Sequence, residues 1–231
     1  MLRDRGVIEA WAGSFDALLH KDIAAVNERL AETCREAGSG VLLPFGSVNP
    51  TLPNWEDDVR RCAEVHGMRG IRLHPNYHGY AIADDAFQRL MTVAVEYRLI
   101  VQIAVMMEDE RMMHPLLRVP PVDLAPLPDA LQAVPSARVV LLNALGTVPA
   151  SLVPRLAVAG EVYFDIAAVE GIGGLGKYAG QLSGDRILFG SYSPMFYFES
   201  AALKLEESVL TYEQLHAIRF QNARSLLAAS Q

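Results

Sequence analysis

Gly70-Ile71-Arg72-Leu73-His74-Pro75-Asn76-Tyr77-His78-Gly79-Tyr80 is a short apolar strand pattern that breaks into a segment carrying two histidines and two tyrosines. Ile71 and Leu73 form the strand core. Pro75 removes a backbone donor and Gly79 permits unusual backbone angles, so strand pairing is expected to stop at about His74. In an α/β barrel, residues at and just past the carboxyl ends of strands line the active face, which would bring Arg72, His74, Tyr77 and His78 together. His74 and His78 stand four apart, a spacing that shares one face only in a helix. Pro75 argues against a helix, so no helical metal pair is expected. His74 is a candidate pocket residue, while His78 packs the loop with Tyr77 and Tyr80 or touches substrate from its edge.

The same alternation extends in both directions. Apolar strand patterns lie near residues 7, 42, 71, 101, 139, 162 and 187, each followed by helical or helix-bearing sequence. Helices are expected over 22–37, ended by Gly38-Ser39-Gly40, and over 55–65 with Asn54 as cap. Others are expected over 84–97, 123–133, 148–158, about 177–182, 200–208 and 211–229. A strand-then-helix repeat of this kind describes parallel βα units, and no linker or low-complexity tract divides them. The expectation is therefore one domain over residues 1–231: a TIM (β/α)8-type barrel with seven of its eight units recognised. The chain is also a little shorter than the roughly 250 residues of a complete barrel.

Composition narrows the function. Hydrophobic residues make up 51% of the 231 and charged residues 20%, which suits a sizeable core rather than disorder. A net charge of -7 without a basic run opposes nucleic-acid binding and favours a small-molecule partner. Apolar runs fall short of a membrane span and the first residues lack a leader pattern, so a cytoplasmic location is expected, with a homo-oligomer allowed. Cys34 and Cys62 have no paired spacing and read as buried thiols.

Four pieces, in order, resemble the amidohydrolase-related group (amidohydrolase 2). They are Phe45-Gly46-Ser47-Val48-Asn49-Pro50, Gly70 to Pro75, Arg186-Ile187-Leu188-Phe189-Gly190-Ser191 ahead of Pro194, and Asn222-Ala223-Arg224. The resemblance implies a TIM barrel with hydrolase or decarboxylase activity on a small organic acid or ring-containing substrate. It also implies a divalent metal such as zinc. Aligned in this way, residues 7–11 match the family's second strand, so its first strand, with a His-x-His pair, is expected before Met1.

The family's other metal and catalytic groups are His, His and Asp at the ends of the fifth, sixth and eighth strands. Here the fifth strand ends Gln102-Ile103-Ala104-Val105-Met106, Asn143 takes the sixth position and Tyr192 the eighth. Amide and phenol are poor replacements for imidazole and carboxylate as metal ligands or bases, so no metal ligand is assigned and an atypical or absent metal site is expected. Two functions remain open: an amidohydrolase-like hydrolase or decarboxylase, and a non-catalytic barrel that binds a ligand or a partner subunit.

Position past the strand ends makes several further residues candidates for chemistry. Glu108-Asp109-Glu110-Arg111-Met112-Met113-His114 lies just past the fifth strand. Glu108 or Asp109 would act as base, Arg111 would clamp a carboxylate, and His114 would serve as acid or ligand; the competing reading is a salt-bridged loop cap. Tyr192 is placed to donate to an oxyanion or to plug a vacated metal site. Asn143, Asp165 and Glu170 are candidate pocket residues after the sixth and seventh strands, with Asp165 alternatively a satisfied interior carboxylate. Gly171-Ile172-Gly173-Gly174-Leu175-Gly176-Lys177 fits two phosphate-loop patterns only loosely, and a helix-entry turn is the plainer reading.

Overall fold

The computed structural model describes residues 2–38, 40–109 and 111–229. Ser39, expected in a helix stop, and Glu110, within the charged run, lie outside these. The strands are β1 Ala10–Ala12, β2 Leu42–Pro44, β3 Gly46–Ser47, β4 Gly70–Leu73, β5 Ile100–Ala104, β6 Arg138–Leu142, β7 Glu161–Asp165 and β8 Ile187–Leu188. The pair β1-β2 and the sheet β3-β4-β5-β6-β7-β8 are parallel throughout. β2 and β3 are halves of one strand split at Phe45, whose N–H still donates to the Ala12 carbonyl at 2.7 Å. Among the described residues this makes seven strands in barrel order, the expected count.

Helices α1 Ile23–Glu36, α2 Trp55–Arg60, α3 Pro75–His78, α4 Asp85–Glu96, α5 Leu127–Ala133, α6 Leu152–Ala159, α7 Gly174–Gln181, α8 Phe198–Glu206, α9 Tyr212–His216 and α10 Asn222–Ala228 follow the strands. The expected starts at 123 and 148 move to 127 and 152. Pro126 and Pro128 fit only the opening of a helix, and Asp123 instead caps a turn by accepting from Ala125 N. Asn54 stands before α2 in a left-handed conformation without a capping hydrogen bond, against expectation. No helix among the described residues is long and apolar enough to cross a membrane.

Strand alternation sorts side chains onto two faces. Ile71, Leu73, Val101, Ile103, Val139, Leu141 and Phe164 pack outward beneath the helices. Phe45, Ile100, Val140, Leu188 and Leu226 fill the interior, with Trp11 stacked on Phe45 at 4.8 Å between ring centroids. Gly70 has to lack a side chain, because a Cβ would collide with the Phe45 ring and approach the Ile100 carbonyl oxygen. At the edge of β8, Phe189 N donates to Ile218 O at 2.9 Å, and Asn222 Nδ2 donates to the Gly184 and Ile187 carbonyls, each at 2.8 Å. The last helical segment thereby satisfies edge groups that would otherwise be open.

One buried amide ties helix to sheet. Asn27 of α1 donates from Nδ2 to Ser47 O at 2.8 Å and accepts at Oδ1 from Ser47 N at 2.7 Å. Truncation would strand both groups of Ser47 without a partner. Asn27→Ala should therefore lower stability by about 2 kcal/mol, read from the urea midpoint at unchanged slope.

Candidate active site

Register places the interior polar residues side by side. Ser47 is paired with Arg72 across β3 and β4, and Arg72 with Gln102 across β4 and β5. Arg72 Nε donates to Gln102 Oε1 at 2.8 Å, and Nη2 reaches Trp11 O at 3.4 Å. Gly13 lies flat against this guanidinium: a Cβ there would stand 2.7 Å from Nη1. Burial lowers the Arg72 pKa to about 10, opposed by the charges of Tyr192 and Asp165, so the group stays cationic at neutral pH. Gln102 and Ser47 were not singled out as site residues from sequence. The available signal was Gln102 itself, one polar side chain inside the apolar run of β5, where burial demands a partner.

One layer nearer the strand ends stand His74 and Asp165. His74 is 2% exposed, and neither ring nitrogen has a hydrogen-bond partner. Burial first, then the charges of Arg72 and His78, hold its pKa well below the ordinary value, so the ring is neutral. Asp165 is also buried. It accepts from Asn143 N at 2.8 Å and from the Ala167 backbone, and burial still pushes it up to about 6 against the pull of those bonds, Arg72 and Lys204. Lys204 of α8 donates to the Ile166 and Ala167 carbonyls, pinning the end of β7.

The segment after β4 departs from expectation. Pro75 to His78 is one helical turn, with Pro75 at the start where its missing N–H costs nothing. That turn brings His74 and His78 together after all, with ring centroids 5.8 Å apart and edge to face. His78 Nε2 lies 2.8 Å from Ala17 O, while Nδ1 is buried without a partner. Tyr77 is half-buried, and burial together with the Glu108 charge raises its pKa.

The remaining nominated residues divide by depth. Asn143, at a positive φ of 57°, donates from Nδ2 to Met106 O at 2.8 Å and leaves Oδ1 buried and unpaired. Tyr192, also at positive φ, donates to Met107 O at 2.8 Å and packs edge-on to Phe196 and Phe15. Burial raises its pKa, and the charges of Arg72 and Asp165 reach its phenol. Glu108 is half-buried beside Tyr77 and Tyr192. Asp109 and Arg111 are not part of this cluster: they pair with each other at the surface, which pulls the Asp109 carboxyl down to about 2. His114 is exposed and accepts from Leu116 N, and Glu170 is exposed.

Comparison with known proteins agrees with this architecture. A family model described as amidohydrolase matches residues 8–228. A 5-carboxyvanillate decarboxylase from Novosphingobium aromaticivorans, holding manganese and 3-methoxy-4-hydroxy-5-nitrobenzoic acid, superposes with a TM-score of 0.80 at 14% identity, over 98% of this chain and 79% of its own. A 2,6-dihydroxybenzoate decarboxylase from Rhizobium gives 0.71 at 13% identity, over 100% and 87%. The apo IDCase of Metarhizium anisopliae gives 0.72 at 16% identity, over 100% and 77%. No curated protein matches the sequence.

The donor set present here does not suit the divalent metal that such relatives imply. Among the described residues no three His, Cys, Asp or Glu side chains converge on one point. Asn143 and Tyr192 spend their donors on backbone carbonyls, and Asp165 accepts two backbone N–H groups. The Arg72 guanidinium already supplies a positive charge in the middle of the site, where a second cation would be repelled.

Proposed function

This chain belongs to the amidohydrolase family, and from that premise we propose that its barrel mouth carries out acid/base chemistry, decarboxylation or hydrolysis, on a small ring-bearing organic acid. The observation that carries this reading is the meeting of a half-buried cation with a buried neutral imidazole and a buried raised carboxyl, namely Arg72, His74 and Asp165. Groups perturbed by burial and by specific charges at the carboxyl ends of barrel strands are where catalysis concentrates. The decarboxylases among the structural neighbours act on ring acids by name, which supports the same substrate class here.

Arg72 would neutralise the substrate carboxylate, and Asp165 in its protonated form would deliver a proton to the ring carbon that bears it. The new C–H bond forms from that proton. The carbon–carboxylate bond then breaks, its electron pair returns to the ring, and carbon dioxide leaves. Asp165 is left as carboxylate and takes a proton back from water. A carboxyl with pKa near 6 holds enough of its protonated form at neutral pH for this role. For a hydrolytic substrate, Glu108 at the rim would serve as base toward water. Asp109, Arg111, His114 and Glu170 would act only from the outer edge.

A second reading is a non-catalytic barrel that binds a ring acid or a partner subunit. It is favoured by the structural employment of Asn143 and Tyr192, both tied to loop carbonyls. Assaying carbon dioxide release and substrate loss over hydroxylated and methoxylated benzoates separates the two. Turnover of any of these above the uncatalysed rate supports the enzyme. Saturable binding without turnover of any of them replaces it with the second reading.

A further inference from the structure

We propose that Arg72 is a built-in cation for this site, its guanidinium holding the carboxylate of a small organic acid with no divalent ion between them. The inference rests on the reading of the mouth as an acid-binding site, but not on catalysis. Three observations carry it.

The first is the shape of what Arg72 leaves free. Gln102 takes Nε and Trp11 O takes Nη2 at long range, and among the described residues Nη1 has no hydrogen-bond partner. The outer edge of the guanidinium, with its two parallel N–H bonds, is the edge that grips a carboxylate in a bidentate fashion. Nor does a protein carboxylate occupy it: Asp165 acts on Arg72 through its charge and accepts its hydrogen bonds from backbone N–H groups.

The second is a set of buried polar atoms with nothing to bond. Ser47 Oγ, on the strand neighbour of Arg72, and both ring nitrogens of His74, two residues along the same face, are unpaired. Buried polar atoms are ordinarily satisfied, so several orphans around one cation mark the place of an absent polar partner. The chemistry asked for is an acceptor, because Arg72 and the Ser47 hydroxyl both donate. The third is Gly13, whose missing side chain gives the guanidinium its room.

The test uses the full chain, stripped with a chelator and checked for metal by mass spectrometry, with benzoate as probe and neutral benzamide as control, in a calorimetric titration at neutral pH. Benzoate is expected to bind the metal-free protein one to one and benzamide not to bind. Arg72→Gln should weaken benzoate by about 10- to 100-fold and Arg72→Lys by less, since the charge remains while the fork is lost. Gly13→Ala should also weaken it: the new methyl group displaces the end of the Arg72 side chain at a backbone position that accepts alanine, so this variant keeps the proposal testable if Arg72→Gln unfolds. Failure of the metal-free protein to bind benzoate overturns the proposal, whether or not added Mn2+ or Zn2+ restores binding. Unchanged affinity in Arg72→Gln, or equal binding of benzamide, overturns it as well. Absence of turnover bears only on the enzymatic reading.

Discussion

Asp165→Asn should reduce turnover of the ring acid by about 10²- to 10⁴-fold while benzoate affinity stays within a few-fold. Asparagine keeps the shape and one acceptor, so the Asn143 N–H at 2.8 Å can still be satisfied. What disappears is the transferable proton. If turnover survives at near the original rate, Asp165 is an interior carboxylate that only pins β6 and β7, and the proton must come from elsewhere, with Glu108 the next group to vary. The pH profile is a second readout: the wild type should lose activity as pH rises through about 6, where the carboxyl ionises. A variant that affected only packing would lower the rate without removing that limb.

Most of the architecture was legible from sequence, because buried parallel strands are short apolar runs with both faces covered. Leu99 to Val105 reads as such a strand, and β5 within it is buried at every residue. Helix boundaries were less legible. At Pro75 the absence of a donor suggested a loop, yet at the first position of a helix that donor has no partner to lose. Strand parity and position at strand ends are what make Arg72 and Asp165 candidates from sequence. Ser47 and Gln102 are not such candidates, since a serine or glutamine becomes informative only when register shows which charge it faces. Charge density drew attention to residues 108–114, but dense charge is also how a loop stays solvated. Asp109 and Arg111 neutralise each other there, in a side-chain pair only two residues apart.

The pH dependence of stability should split in opposite directions in two variants of this site. His74 is held neutral, so between its unfolded pKa near 6.5 and its lower folded value the unfolded chain binds the extra proton. Stability then falls on acidification by about 1.4 kcal/mol per pH unit. His78, also lowered by burial, adds in the same sense. Asp165 works the other way: its folded pKa of about 6 lies above the ordinary 3.8, so the folded chain binds the extra proton in that window and gains stability as pH falls. That shift is worth about 3 kcal/mol across the window. Asp58, half-buried and also raised to about 6, adds a smaller term of the same sign once solvent screening is allowed for. The wild type should therefore show a muted slope between pH 4 and 6. Asp165→Asn leaves the histidines unopposed and should destabilise on acidification. His74→Gln leaves the carboxyls less opposed and should hold or gain stability over the same range. The two slopes should differ in sign over this range, read from urea midpoints. Exposed carboxylates lowered by arginine partners, such as Glu56 and Asp109, act alike in both variants and cancel in the difference. Parallel slopes would mean that His74 and Asp165 are not held in these protonation states, which would remove the electrostatic basis for placing the chemistry between them.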